Sequence, residues 1–501
     1  VKRVFLKDVW NIVGFEGTGS PLGDVEIRGL AVDSREVKEG YLFFALPGTR
    51  EHGSKYIPHA LESGAVAAVT DVEPPFVPPE RVVKVGDVMS ALCRVSSDFY
   101  GNPSRELSVV GVTGTNGKTT VSYILEGIAS ACGEVPGVVG TVNYRVAGEI
   151  FREGLTTPFP HQLQEALARI KESGGTFAVM EVSSHGVVQG RIGGIIFKAG
   201  LFTNLSRDHL DYHGNMEEYY QAKKGFFTRF VGRDALKVVN VGCQFGKRLA
   251  GELDGRVVTY SVSGEADYRV AESGISIDGV RAILEWDGGA QEIESRLVGE
   301  HNLENILAAF ALARELGMPE GKVAEGIRNV ENVPGRLERV DVVKGVEFFV
   351  DYAHTPGGLE NVIAALSRFR KSRLIVVFGC GGDRDRGKRP IMGEVAAKGA
   401  DVVIVTSDNP RTENPSRIID EIIPGCERAG AVRREPYALD GTEKAYCVEP
   451  DRRSAIAIAV RIAREGDIVL IAGKGHETYQ IIGNERHEFD DREVLREFAA
   501  R

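Results

Sequence analysis

The stretch "VTGTNGKTTVSYIL", residues 112–125, combines glycines, a lysine and paired hydroxyls in the manner of a phosphate-binding loop. Glycines let backbone N–H groups close around phosphate oxygens at a helix N-terminus. Here Gly114, Thr115, Asn116 and Gly117 would form the cradle, and Lys118 would reach the β- and γ-phosphates. Thr119 or Thr120 can offer a hydroxyl to Mg²⁺. The spelling departs from G-x-x-x-x-G-K-[ST], because Val112 stands where the first glycine belongs. No N-K-x-D sequence occurs, which disfavours a GTP switch.

Other ionisable groups fall where such a loop needs them. Glu181 ends the apolar run "TFAVM", the place of a metal-binding carboxylate in a phosphate-loop fold, although a strand-end Glu is often merely solvated. "SRDHLDYHG" brings Asp208, His209, Asp211 and His213 just beyond another apolar run, and ligands of open α/β sheets bind at such carboxyl ends. "YYQAKKGFF" follows with Lys223 and Lys224, which otherwise read as surface lysines.

The elements that must position these groups are legible as a pattern. "LSVVGVT" reads as a buried strand, and Val121, Ile124, Leu125, Ile128 and Cys132 after the loop recur at helical spacing. "TFAVMEVSS" and "KAGLFTNLS" read as two further strands, and "HNLENILAAFALARELG" (301–317) as a helix stopped by Gly317. Ahead of them, "GYLFFAL" and "AVAAVT" are strand-like, "EPPFVPPER" is an exposed proline-rich loop, and "YGNPSREL" (100–107) reads as a hinge. Beyond "VPGRLERV" the strands "VEFFVDYA", "SRLIVVFGC", "DVVIVTSDN" and "DIVLIAGKG" alternate with helices, which implies a Rossmann-like parallel sheet. The expected fold is α/β in three domains: 1–106, 107–338 and 339–501.

Bulk properties narrow the class. The chain has 501 residues, 43% hydrophobic and 26% charged, the balance of a globular protein with sizeable cores. A net charge of -10 argues against a nucleic-acid-wrapping surface. The six cysteines are scattered without a C-x-x-C pair, so neither a disulfide framework nor a zinc site is indicated. No run approaches the length of a membrane span, and the N-terminus lacks a signal peptide's apolar core. A cytoplasmic monomer is expected, with no nucleic-acid or membrane partner.

"GVTGTNGKTT", "MEVSSHG", "TNLSRDHLDYHG", "QAKKGFF", "GEHNLENILAA", "PGRLE", "DYAHTP" and "SDNPRTENP" occur in one order over nearly the whole chain. This series resembles the Mur ligase family, whose phosphate loop carries the longer spelling. "GCGGDRDRGKRP", "SDNPR" and "AGKGHE" resemble the member that adds the third amino acid. The resemblance implies ATP-dependent addition of meso-diaminopimelate to the D-glutamate side-chain carboxylate of UDP-N-acetylmuramoyl-L-alanyl-D-glutamate, in peptidoglycan precursor synthesis. An acyl phosphate would be the intermediate, and two Mg²⁺ ions the cofactors. The N-terminal domain would then bind the UDP-sugar, the central domain ATP, and the last domain the amino acid.

The same resemblance assigns residues. Thr119 and Glu181 would serve one Mg²⁺; His209, with Lys223 carbamylated by CO₂, would serve the second, since a carbamate supplies the oxygen donor a hard cation prefers. Lys118, His209 and Lys223 are thus the catalytic candidates. Asn302, Arg336 and Asp351 match positions around the nucleotide. Thr156, Thr157, Ser183, Gln189 and Arg191 match positions holding the muramoyl dipeptide. Val32 and Ser34, with Thr49-Arg50-Glu51, match the UDP-contacting region. There the family's His-Gln-Ala-like spelling is missing, and Leu155 replaces the Asn before the threonine pair. Arg384, Asp408, Asn409, Pro410, Arg411, Gly473 and Glu477 match the amino-acid pocket; without the resemblance, Arg384 reads as a solvated loop charge and "DNP" as a turn. Arg411 offers a planar fork for the second carboxylate of diaminopimelate, which L-lysine, the alternative substrate, lacks.

Three rival readings each meet a specific objection. A folylpolyglutamate-synthase-like ligase has no counterpart to the "VDSR" domain. A mechanical or regulatory phosphate-loop ATPase would hydrolyse ATP without a muramoyl substrate. A nicotinamide oxidoreductase would need G-x-G-x-x-G, and "GCGGD" does not supply it.

Overall fold

The computed structural model describes residues 3–14, 22–48, 51–74, 77–152, 154–439 and 443–500. Thr49 and Arg50, matched above to the UDP-contacting region, lie outside the described residues, as do two residues of the proline-rich loop. Among the described residues there are five sheets, and the three larger ones grow from runs of buried β-branched and aromatic residues.

The first sheet has four parallel strands in the order Gly29–Ala31, Tyr41–Phe44, Ala67–Thr70 and Val82–Lys84. The helix Val88–Phe99 covers it, capped by the Asp87 carboxylate, which accepts from the Met89 and Ser90 amides. That helix also carries the contact to the next sheet, where the Cys93 thiol donates to the Gly190 carbonyl and the Ser97 hydroxyl to that of Gly194. The expected hinge is a 3₁₀ turn, Pro103–Arg105, entered through Asn102 in the left-handed region (φ 53°).

The central sheet has eleven strands. Its parallel core runs Pro136–Val139, Phe177–Glu181, Ser108–Thr113, Phe197–Phe202, Leu236–Asn240 and Val257–Ser261. Ser108–Thr113, which feeds the phosphate loop, therefore lies between the strand ending in Glu181 and the strand leading to Asp208. The sequence reading did not anticipate two additions. A hairpin, Tyr144–Val146 with Glu149–Arg152, joins one edge, and an antiparallel meander, Tyr268–Ser276, Gly279–Trp286 and Gly289–Ser295, joins the other. The first meander strand buries Tyr268 and exposes most of the rest, so it shows no apolar run. The helices Lys118–Ala131 and Glu300–Glu315 pack into one core with the sheet. Leu316 caps the second, and Gly317 follows at φ 88°.

The third sheet has seven strands, all parallel except the first: Glu338–Arg339, Glu347–Asp351, Ile468–Ala472, Leu374–Phe378, Val402–Val405, Ala445–Val448 and Val432–Arg433. Glu338 already pairs with Val350, so this sheet begins within the "PGRLE" segment. Among the described residues no helix is long and apolar enough to cross a membrane.

Candidate functional site

The phosphate loop is shaped by backbone that only glycine tolerates. Gly114 stands at φ 151° and a Cβ there would meet Thr203 Oγ1 at 1.9 Å. Gly117 stands at φ 88° and a Cβ would lie 2.3 Å from Asn305 Oδ1. The extra residues of the loop are tied to the adjacent strand end. Asn116 N–H donates to Asn204 Oδ1 (3.0 Å), and Thr203 Oγ1 donates to the Asn116 carbonyl (2.6 Å).

Lys118 folds back over this loop, its ammonium donating to the carbonyls of Gly114 (2.8 Å) and Thr115 (2.9 Å). Burial lowers its pKa. Lys223 comes from the opposite side, 2% exposed, and also donates to the Gly114 carbonyl (2.8 Å). Burial, then the nearby Lys118 charge, holds its pKa well below the ordinary lysine value. A lysine biased toward the neutral amine is the form that reacts with CO₂.

Glu181, 1% exposed, is surrounded by donors. Thr119 Oγ1 reaches it at 3.1 Å, Thr141 Oγ1 at 2.8 Å and the Thr141 amide at 3.0 Å. Thr141 was not singled out from sequence, yet it touches both carboxylate oxygens and, at 3.0 Å, the Thr156 hydroxyl. Thr157 Oγ1 bridges the Glu181 carbonyl (2.8 Å) and the Ser183 amide (2.9 Å), and Arg191 donates to the Thr157 carbonyl (2.9 Å). Thr156 and Ser183 thus line the cavity beside the loop, and behind them the buried Thr157 is bonded to Ser183 and the half-buried Arg191 to Thr157. Gln189 stands apart, reaching the Tyr212 hydroxyl at 3.5 Å. One buried carboxylate with adjacent hydroxyls suits Mg²⁺, which takes few protein oxygens and completes its shell with phosphate and water. Among the described residues no group of three His, Cys, Asp or Glu side chains could hold a metal without such help.

The C-terminal domain closes the cavity. Arg336 lies over the Tyr352 ring (4.7 Å) and donates to Thr119 Oγ1 (3.2 Å). Asp351 accepts from the amides of Leu337 (2.6 Å) and Ala353 (2.7 Å), and burial raises its pKa. Both line the phosphate cavity with Asn116, Lys118, Thr120 and Asn305. Asn302 does not line it. Its amide donates to the Val298 carbonyl (2.8 Å) and its oxygen accepts from Asn305 (3.1 Å), so Asn302 positions Asn305 from behind. Asn305, which the sequence did not single out, is the asparagine of the pair that faces the cavity.

A second cavity, of about 460 Å³, opens between the central and C-terminal sheets and gathers Arg384, Asp408, Asn409, Arg411, Gly473 and Glu477. Asn409 donates to Glu477 (2.8 Å), and the fully buried Lys474 ammonium lies between Asn409 Oδ1 (3.2 Å) and Glu477 Oε2 (3.1 Å). Burial, then the Asp408 charge, raises the pKa of Glu477. Pro410 shapes the turn and does not line the cavity. Lys474, His354 and Lys388 were missed as site residues, although "DYAHTP", "GCGGDRDRGKRP" and "AGKGHE" contain them.

Asp208, His209, Tyr352, His354 and Thr355 line both cavities, which therefore share a wall. His209 sits at φ 52° and its amide donates to Asp208 Oδ1 (2.8 Å). Burial pushes its imidazole down to about 4, so the ring is neutral at pH 7. Val32 and Ser34 belong to the N-terminal sheet region and line neither cavity. Ser34 begins a 3₁₀ turn and is buried, and Val32 packs against the N-terminal core.

Three family profiles match in succession: "Mur ligase family, catalytic domain" over residues 26–100, "Mur ligase middle domain" over 112–313, and "Mur ligase, glutamate ligase domain" over 335–475. A UDP-N-acetylmuramoyl-L-alanyl-D-glutamate–2,6-diaminopimelate ligase of Geobacter metallireducens is 44% identical over 499 residues, 98% of this chain and 97% of its own. The chain belongs to the Mur ligase family. A ligase of the same name from Thermosynechococcus vestitus is 44% identical over 492 residues, 96% of this chain and 94% of its own. A solved structure described by that name aligns with a TM-score of 0.68 at 33% identity, covering 100% of this chain and 99% of that one. The folylpolyglutamate synthase of Mycobacterium tuberculosis, complexed with ADP and AMPPCP, covers 82% of this chain and 94% of its own. With a TM-score of 0.63 at 20% identity, it shares the Mur ligase fold.

Proposed function

We propose that this Mur ligase joins meso-diaminopimelate to the D-glutamate side-chain carboxylate of UDP-N-acetylmuramoyl-L-alanyl-D-glutamate, converting ATP to ADP and phosphate. The observation that carries this reading is the wall shared by the two cavities. A carboxyl activated beside the phosphate loop is one side chain away from an amine held in the second cavity.

In this reading a carboxylate oxygen attacks the γ-phosphorus, the bond to the β–γ bridging oxygen breaks, and ADP leaves an acyl phosphate. The amine of the amino acid then attacks the acyl carbon, loses a proton, and phosphate departs as the amide forms. Lys118 exchanges its loop carbonyls for phosphate oxygens, where growing charge makes an ammonium most effective. Arg336 and Asp351 hold the nucleotide from the C-terminal side, and closure of that domain keeps water from the acyl phosphate. Two Mg²⁺ ions would neutralise phosphate charge, one near Thr119 and Glu181, the other near His209 and a carbamylated Lys223. Thr156, Thr157, Ser183, Gln189 and Arg191 would align the dipeptide, with Val32 and Ser34 toward the UDP end. Arg384, Asp408, Asn409, Arg411, Gly473 and Glu477 would hold diaminopimelate. Residues 1–106 would take the UDP end, 107–338 most of the ATP and dipeptide contacts, and 339–501 the amino acid and one side of the nucleotide, in a cytoplasmic monomer.

The test is an amino-acid panel with purified protein, ATP, Mg²⁺ and the muramoyl dipeptide, measuring phosphate release. Release should require the dipeptide and favour meso-diaminopimelate over L-lysine by a large factor, ~10⁴-fold where buried polar groups would be left unpaired. Release that is indifferent to the dipeptide would refute the ligase reading. Equal use of L-lysine would refute only the role of Arg411.

A further inference from the structure

Arg389 is fully buried, although it sits one residue into a helix, Lys388–Gly399, that borders the amino-acid cavity. Arg389 does not line that cavity; its Nη2 only reaches, from behind, the carbonyl of the lining residue Gly381 at 3.4 Å. It instead grips Glu413, with Nη2 to Oε1 at 2.8 Å and Nη1 to Oε2 at 3.0 Å, and Nη1 reaches Glu421 at 2.8 Å. Glu413 passes the constraint on, because its Oε1 also accepts the Asp383 amide at 2.6 Å. The Asp383 carboxylate in turn accepts from the Thr412 hydroxyl (2.8 Å) and amide (3.2 Å).

Two loops are thereby locked together, residues 381–384 and 408–413, and the lock surrounds two strained residues. Asp383 (φ 54°) and Arg411 (φ 51°) both occupy the left-handed region without being glycine. Such conformations persist only when the surroundings over-determine them, and they cluster at ligand sites. The loops approach so closely that a Cβ on Gly382 would lie 1.9 Å from the Pro410 carbonyl. Across that contact Arg411 Nη1 donates to the Gly382 carbonyl at 2.7 Å. From the other side Arg411 is pinned by the hairpin Tyr479–Glu488, its amide donating to Ile481 O (3.1 Å) and its carbonyl accepting from Gly483 (2.7 Å).

We infer that Arg389 and Glu413 are positioning residues that set the reach of the Arg411 guanidinium into the amino-acid cavity, and with it the discrimination between amino acids with and without a distal carboxylate. This rests on the reading that Arg411 meets that carboxylate. Glu413 binds nothing in the cavity itself. Its effect is confined to where the 408–413 loop carries Arg411, so it acts on one substrate and leaves nucleotide and dipeptide handling alone.

The experiment uses the full chain with ATP, the muramoyl dipeptide, and either meso-diaminopimelate or L-lysine, comparing wild type with Glu413→Gln, Arg411→Ala and the double variant. Gln keeps the size of the side chain and an oxygen for the Asp383 amide but loses the charge Arg389 grips. The KM for meso-diaminopimelate should rise about tenfold in Glu413→Gln, the scale on which misplacement by a fraction of an ångström acts. kcat and the other two KM values should stay within about twofold, and preference over L-lysine should fall. The double variant should be no worse than Arg411→Ala alone, because a residue acting through another adds nothing once that other is gone. Arg389→Lys, which keeps the charge but cannot fork, should repeat the Glu413→Gln pattern with a thermal midpoint lowered by no more than a few degrees. If Arg411→Ala raises that KM and Glu413→Gln does not, the positioning role is wrong. If neither moves it, the reading of Arg411 is wrong and the inference falls with it. Equal losses toward all three substrates, or additive losses in the double variant, would mark a merely structural pair and also overturn it.

Discussion

Replacing Lys118 by methionine separates its chemical role from its structural one. In the resting loop the ammonium has two partners, the carbonyls of Gly114 and Thr115. Gly114 O keeps Lys223 as a donor when Lys118 is lost, so only Thr115 O loses its partner. One unmade hydrogen bond costs about 1 kcal/mol, and removing a cation held at a desolvation cost offsets part of that. The folded state should therefore change by no more than about 1 kcal/mol, a shift of about one or two degrees in thermal midpoint for a chain of this size. Turnover should respond far more. A donor aimed at charge that grows in the transition state is worth about 3 kcal/mol, so kcat should fall about a hundredfold or more. The assay is phosphate release at saturating substrates, run beside a thermal melt of the same preparation. Turnover within threefold of wild type would refute the role given to Lys118, and a melt lowered by tens of degrees would refute the carbonyl accounting.

Lys223→Ala should lose activity and regain part of it with added formate or acetate, which restores an oxygen donor where the carbamate stood; full activity without any additive would exclude the carbamate. Arg452 and Asp491 are both fully buried and paired through Nε (2.8 Å) and Nη2 (2.7 Å), so Asp491→Ala should cost about 3–5 kcal/mol in urea unfolding by stranding the guanidinium. A cost below 1 kcal/mol would show that water reaches the pair. His301 is held neutral by burial, which pushes its pKa from the ordinary 6.5 down to about 4. The unfolded chain binds a proton that the folded chain refuses, so stability is full above pH 6.5 and falls as pH drops toward 4, by up to about 3 kcal/mol from this group. His301→Asn should flatten that part of the urea-midpoint profile, and an unchanged slope would show that other groups set it.

What the sequence made legible is local chemistry held on local structure. The loop around Lys118, the strand end at Glu181 and the turn at Asp408–Arg411 could all be read, because strand, turn and functional residue lie within a few positions of one another. The central meander was missed for the complementary reason. Its outer two strands are largely exposed, and the middle one, Gly279–Trp286, buries only alternate residues on one face, so none of the three reads as a continuous apolar run.

Contacts between distant segments were out of reach in a different way. Arg336 meets Thr119 from 217 positions away, and Thr141 grips Glu181 from 40. No periodicity encodes such pairings; the first exists because two sheets present their carboxyl ends to one gap, the second because the strands ending at Val139 and Glu181 are neighbours in one sheet. The pair Asn302 and Asn305 shows how fine this limit is. Both lie on one face of the same helix, one turn apart, and only the back-bond from Asn302 to Val298 leaves Asn305 as the residue that faces the phosphate loop. The same logic explains Arg389. A buried arginine amid "DRDRGKR" looks like one more solvated charge until Glu413 and Glu421, from a segment beyond the next strand, close around it. Residues that bind substrate sit in motifs, whereas residues that aim them are found only where the chain returns.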